Sequence, residues 1–283
     1  TIVSDKGRGG GIFTLDLSID SEGSIGEARI GSLPGTAAAT DVRDPEGLVR
    51  TQTGYLVSGE DQRIVEYDLE GYPTGREAAI PGDMSQDNVT FNMGFEALAF
   101  DGDNTVFTGT EGPLPSDEGF CPVEDLGQLL RIQSFNADDL SASSRYLYLM
   151  DKPVYANVPE DAMHVHGVSA MTALPDGRLA VLEREVYTNL ATVTAISRVK
   201  IYLVDPRNDR GGILCKSLLH EFSTGIDLMN WELNLANYEG MCTITLPDRS
   251  PALVMVCDAQ GHLGYSWGRI NSRLKDYIRI IRL

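Results

Sequence analysis

The chain has 283 residues, 42% of them hydrophobic, enough for one large domain with a well-buried core. Asp and Glu outnumber Lys and Arg by 41 to 23, a formal charge of −18 that repels nucleic acid and anionic membranes and draws cations or basic partners. No apolar run reaches the roughly eighteen residues of a membrane-spanning helix, so the chain is not read as transmembrane.

The opening segment TIVSDKGRGGG lacks the apolar stretch of a signal peptide and begins abruptly in a strand-like pattern, which reads as a trimmed or processed N-terminus. Gly9 to Gly11 precede a strand, GIFTLDLSI, and so read as a hairpin and not as a phosphate cradle. From Asp44 runs DPEGLVRTQTGYLVSGEDQRIVEYDL, and from Asn92 runs NMGFEALAFDGDNTVFTGTEGP. From His166 comes HGVSAMTALPDGRLAVLERE, and from Ala236 ANYEGMCTITLPDRSPALVMVCDAQ. Each has an acidic or small residue, then Gly or Ala, a short apolar strand, a turn, and a second apolar strand ending in an acid. Third strands follow as RIVEYDL, GQLLRIQSF, SRVKIYLVD and GYSWGRI, and fourth strands as RYLYLM, LLHEF and YIRIIRL. The connecting DGDN, LPDGR and LPDRS carry turn chemistry, while PEDAMH and DRSPA are the only candidates for a helical turn.

Repetition of one four-stranded unit predicts an all-β fold, a β-propeller of five or six blades of four-stranded antiparallel sheets. The whole chain 1–283 is then one domain, with units at about 1–43, 44–91, 92–163, 164–235 and 236–283. A β-sandwich is the other architecture, but it gives no reason for the same acid to recur in each unit.

The recurring positions are the candidate site. Glu46, Glu96, Ser169 and Glu239 occupy the first anchor, and Glu60, Glu111, Glu183 and Asp258 the second, with Asp5 at the second anchor of the entering unit. Inner propeller strands converge on the axis, so Asp5, Glu60, Glu111, Glu183 and Asp258 are expected at one height, with Glu46, Glu96 and Glu239 in a second ring. Carboxylates so placed repel one another unless a cation or an Arg neutralises them. Oxygen donors suit Ca²⁺, which takes about six to eight of them, and Arg184 is the nearest counter-charge. The structural alternative is that these acids only cap strand ends.

His164 and His166 share a strand face at i, i+2 spacing and are read either as metal or acid–base groups or as satisfied loop histidines. His220 and His262 read as ordinary surface or packing residues. Cys121, Cys215, Cys242 and Cys257 contain no CxxC pair, which argues against zinc, and leave a Cys242–Cys257 bridge open. With the sequon Asn88-Val89-Thr90, the even cysteine count leans toward a secreted, periplasmic or organelle-lumenal protein. There is no GxSxG elbow, P-loop or dinucleotide fingerprint.

The stretches NMGFEALAF, TGTEGPL, LPDGRLAVLERE, NYEGMCTITLPD and VCDAQ together resemble the "esterase-like activity of phytase" family over about Asp44 to Asp258. The resemblance implies phosphoesterase or phosphodiesterase activity carried by Glu96, Glu111, Glu183 with Arg184, Glu239 and Asp258; Ser169 departs from the acidic pattern. The expectation is a Ca²⁺-dependent phosphoric ester hydrolase with catalytic Glu96, Glu111, Glu183, Arg184 and Glu239. Metal ligands are expected from Glu46, Glu96, Glu111, Glu183, Glu239 and Asp258, and a small phosphorylated compound is the substrate. The rival is a non-catalytic propeller that docks a basic protein partner through loops such as 113–127 and 187–197, and a lactonase-like channel metal is a third reading.

Overall fold

The computed structural model describes residues 1–4, 11–36, 40–117, 127–155, 157–160, 162–189, 194–210, 212–227, 232–258 and 277–283. The fold is all-β. Apart from 3-10 turns at Pro34–Thr36, Gly82–Met84, Gln86–Asn88 and Pro115–Asp117, the described elements are strands.

The first sheet is β1 (Ile2–Ser4), β2 (Gly11–Ile19) and β3 (Ile25–Ser32), and the second is β4 (Pro45–Arg50), β5 (Gly54–Gly59), β6 (Arg63–Asp68) and β7 (Pro73–Glu77). Two further meanders follow: β8 (Phe95–Phe100), β9 (Thr105–Thr110), β10 (Gln128–Asn136) and β11 (Ala142–Met150), then β12 (Ala162–Ala173), β13 (Leu179–Asn189), β14 (Thr194–Arg210) and β15 (Ile213–Asp227). A parallel bridge, Leu147 to Ile213, joins their outer strands β11 and β15 into one sheet, which also carries β16 (Glu232–Leu233) on β15. The last sheet holds β17 (Tyr238–Thr245), β18 (Pro251–Cys257) and β19 (Ile278–Arg282).

Described hairpin turns show why neighbouring strands pair. At Asp101–Thr105 the Asp101 carboxylate accepts the N–H groups of Asp103 and Thr105 at 2.9 Å each, while Gly102 adopts φ +85°. Part of the acidic excess is therefore turn chemistry.

The core lies between sheets. One apolar layer joins Ile12 to Val42, Tyr55, Val57 and Tyr67; the next joins Leu56 and Ile64 to Phe95, Leu98 and Phe135. A third sets Ala97, Phe107 and Tyr148 against Met171, Val181 and Val204, and a fourth sets Leu182, Val199 and Ile201 against Tyr238, Leu253 and Met255. The first strands pack in sequence, β4 on β8, β8 on β12 and β12 on β17, with β1 on β4. Sheets stacked around a line of inner strands are the propeller arrangement. Between the last and first sheets lies instead a cleft of about 750 Å³, walled by Leu15, Leu17, Met241 and Val254, with Glu46, Glu239 and Asp258 sharing its lining.

Three expectations change. YIRIIRL forms β19 and pairs directly with β18, so it takes the third place in its sheet and not the fourth; GYSWGRI lies outside the described residues. DRSPA leads into β18 and is not helical, and of PEDAMH the residues Ala162, Met163 and His164 belong to β12. Cys242 and Cys257 form no disulfide with each other, because the ladder sets Cys242 opposite Val254 and Cys257 opposite Tyr238, well apart along the strands. Cys121, His262 and Asp5 lie outside the described residues. No described helix is long and apolar enough to cross a membrane.

Candidate functional site

The first anchors share a backbone device. In each first hairpin the register slips at the anchor: between Pro45 and Leu48, Phe95 and Ala97, Val168 and Ala170, and Tyr238 and Gly240. Such a bulge adds a residue to one strand and re-aims its side chain. Glu46, Glu96, Ser169 and Glu239 are those residues. Ser169, the neutral exception, is buried and donates its hydroxyl to the Tyr238 carbonyl at 3.1 Å, tying β12 to β17.

Second anchors reach into the start of the next meander. The Glu60 carboxylate accepts the Gly94 N–H at 3.2 and 3.3 Å, just before β8. A Cβ at Gly94 would push aside the end of the Gln62 side chain and press on the Glu60 carboxylate. Glu111 repeats the arrangement one meander on: its carbonyl accepts the Val168 N–H at 3.0 Å, and its side chain occupies the space a Cβ at Gly167 would need.

The register shows which residue takes this place in the β12–β13 hairpin. Gly59 pairs with Pro45, Thr110 with Phe95 and Cys257 with Tyr238, and the acid follows each. Val168 pairs with Glu183, so the equivalent position is Arg184. Sequence alignment placed Glu183 there, one residue early, and a one-residue shift in a strand turns the side chain to the opposite face. The structure accordingly removes Glu183 from the ring. Its carboxylate accepts the Tyr148 hydroxyl at 2.6 Å, Lys216 Nζ at 2.6 Å and the Asp151 N–H at 3.1 Å.

Arg184 instead sits among the acids. It is 4% exposed and forms ion pairs with Glu111 and Glu239, and it donates to Asn237 Oδ1 at 2.9 Å. Asn237 in turn donates to Glu239 at 2.8 Å, and its carbonyl accepts the Asp258 N–H at 2.9 Å. Burial disfavours the guanidinium charge, but Glu239, Glu111 and Glu96 outweigh that cost and hold Arg184 protonated.

Beside this pair-bonded group, Glu46, Glu60 and Glu96 each offer a carboxylate oxygen within 4.8 Å of the others. Burial, then repulsion from Glu46, Glu111 and Glu239, raises the Glu96 pKa well above the carboxylate range, with Arg184 only partly opposing. Burial also raises Glu239, against the pull of Arg184. First and second anchors thus mingle in one cluster, where two separate rings were expected, because the end of one hairpin meets the bulge of the next. Asp258 stands with Glu46 and Glu239 on the cleft.

His164 donates or accepts at Glu185 across 3.1 Å, and His166 lies beside it, both on the β13 face that carries Glu183. His220 stacks obliquely on Phe222. Sequence reasoning missed Asn237, whose polar amide at the head of NYEGM, directly before β17, was the available signal, and Lys216, which holds Glu183 and for which no local signal exists.

The family model for esterase-like activity of phytase, a phytase-like family, matches residues 1–259. The chain belongs to that family, with which a hydrolase-type β-propeller fold is associated. Among curated proteins there is no match to the chain.

Proposed function

We propose that this member of the esterase-like phytase family is a Ca²⁺-dependent phosphoric ester hydrolase whose chemistry is carried by the carboxylates around Arg184. The observation behind the reading is the charge imbalance of the site: Arg184 ion-pairs with Glu111 and Glu239, and Glu46, Glu60 and Glu96 cluster beside them. Glu46, Glu60 and Glu96 would hold the ion, since they offer hard oxygen donors from three loosely spaced carboxylates, and Glu96 lacks a counter-charge close enough to keep it ionised. When bound, the ion supplies positive charge to a phosphoryl oxygen and acidifies a water for attack on phosphorus.

The chain's own residues divide the remaining work. Arg184 holds Glu111 and Glu239 by ion pairs and lessens the repulsion an anionic ester would meet. Glu239 is the more open of the two, 22% exposed against 2% for Glu111, and it lines the cleft. Its raised pKa suits it to pass a proton to the leaving alkoxide. Glu183 has a supporting part, bracing β13 from the far face.

The test is hydrolysis of bis(p-nitrophenyl) phosphate and of p-nitrophenyl phosphate, first in EDTA and then with Ca²⁺ restored. Turnover should vanish in EDTA, return with Ca²⁺ and be lost in Glu96→Gln. Absence of Ca²⁺-dependent turnover, together with a stable complex with a basic protein that Glu96→Gln leaves intact, would overturn the enzyme reading in favour of a docking platform.

A further inference from the structure

The far face of β13 carries a second polar cluster. A pocket of about 240 Å³ opens between β12–β15 and the segment after β11 that includes Asp151 and Val154. Cross-strand pairing sets His166, Glu185, Arg198 and Ser223 in one row, and Glu183, Lys200 and Glu221 in the next.

The buried acceptors of this pocket, Asp151, Glu183 and Glu185, are engaged. Asp151 receives Lys200 at 2.5 Å, Tyr202 at 2.6 Å and Lys216 at 2.7 Å. Glu183 is held as described above. Glu185 accepts the N–H groups of Val154 and Tyr155 at 3.0 and 2.9 Å, with His164 at 3.1 Å. Glu221 is exposed, directly across from Lys200.

Two nitrogens are not engaged. Arg198 Nε and His166 Nδ1 are buried, and neither has a hydrogen-bond partner among the described residues. The Arg198 guanidinium lies 5.7 Å from the centroid of the Tyr155 ring, which stacks on Tyr187 at 4.1 Å. Burial holds the His166 pKa down to about 4 against the pull of Glu185, so the ring is neutral at physiological pH and can donate from Nδ1 as one tautomer.

Idle buried donors beside saturated acceptors are complementary to an acceptor-rich ligand, because a buried polar group without a partner costs free energy. A guanidinium matches oxyanions in shape and charge. His166 and Arg198 stand two strands apart in their row, so a tetrahedral ion, with oxygens pointing several ways, meets both better than a planar carboxylate.

We propose that this pocket binds a phosphate group, with Arg198 as its charged anchor and His166 as a second donor. Arg184 also borders the pocket, but its guanidinium is directed to Glu111 and Glu239 in the carboxylate cluster, while its neighbours Glu183 and Glu185 are the β13 acids on the pocket side.

The experiment is calorimetric titration of the full chain with inorganic phosphate in EDTA, where no metal remains to draw phosphate to Glu46, Glu60 and Glu96. Saturable binding at one site is expected, weakened about tenfold or more in Arg198→Gln through loss of a charged hydrogen bond. His166→Phe should weaken it by a smaller factor, Glu96→Gln should leave it unchanged, and sulfate should compete while chloride at equal ionic strength should not. Glycerol phosphate binding as tightly as phosphate identifies a phosphomonoester as ligand; much weaker binding identifies the free ion. Should Arg198→Gln fail to fold, Arg198→Lys keeps the charge without the fork and should still bind several-fold more weakly. No saturable binding, wild-type affinity in the Arg198 variants, or competition by chloride would overturn the proposal.

Discussion

Replacing Glu96 by Gln should stabilise the protein in EDTA and destroy its response to Ca²⁺. Carboxylate oxygens of Glu46, Glu60 and Glu96 lie within 4.8 Å of one another. At an effective dielectric of about 20, a pair of unit charges at that separation repels by about 3 kcal/mol. The protein avoids this by keeping a proton on Glu96, whose folded pKa is raised by burial and by its acidic neighbours. A carboxylate with a raised folded pKa binds its proton more tightly in the folded state. Its stabilising effect is complete below the unfolded pKa of about 4.3 and is lost, by about 1.4 kcal/mol per pH unit, as pH rises to the folded value. Gln carries no such charge, so Glu96→Gln should match wild type near pH 4 and exceed it by about 2–3 kcal/mol at pH 8. Calcium reverses the order: at a hundred times its dissociation constant it should add about 2.7 kcal/mol to wild type, and little to the variant. Urea denaturation at pH 4, 6 and 8, in EDTA and in Ca²⁺, measures all of this. A variant less stable than wild type at pH 8 in EDTA, or one that keeps the full Ca²⁺ response, would refute the reasoning.

Arg184→Met leaves Glu111 and Glu239 buried without their cation and should cost about 3–5 kcal/mol by urea denaturation at pH 7.5. That deficit should shrink as pH falls, because burial raises the Glu239 pKa and its carboxyl takes a proton more readily. Glu183→Gln removes one of the two charge partners of Lys216 and should cost about 1–3 kcal/mol, while the Ca²⁺ concentration for half-maximal stabilisation stays as in wild type; a shifted Ca²⁺ midpoint would place Glu183 back among the ligands. Gly94→Ala should displace the Glu60 carboxylate and raise that midpoint about tenfold, the loss of about 1.4 kcal/mol of binding, as read by the same titration.

Strands and turns were legible because alternation and Asp–Gly chemistry are local. The positions of Glu46, Glu96 and Glu239 were legible too, since each precedes Gly or Ala and an apolar run. The bulges were not, because a register slip depends on both strands of a hairpin. That is why Glu183 took the place that belongs to Arg184: the extra residue at Ser169 lies on β12, and nothing in LERE records it. The Asp151–Lys200–Lys216 network was hidden for another reason. Its members come from β14, β15 and the end of β11, and only the stacking of two meanders brings them within hydrogen-bond reach.

Among the described residues, four apolar layers join the successive meanders, and between β17–β18 and β1–β2 there lies a cleft instead. Of the described sheets, the first and last are therefore the pair that can separate with the least loss of buried surface, and breathing concentrates there. Glu46 of β4 and Glu239 of β17 both line this seam. A cation that gathers carboxylates here also acts as a clasp across the seam, so the charge that serves the chemistry would set how tightly the ring is shut.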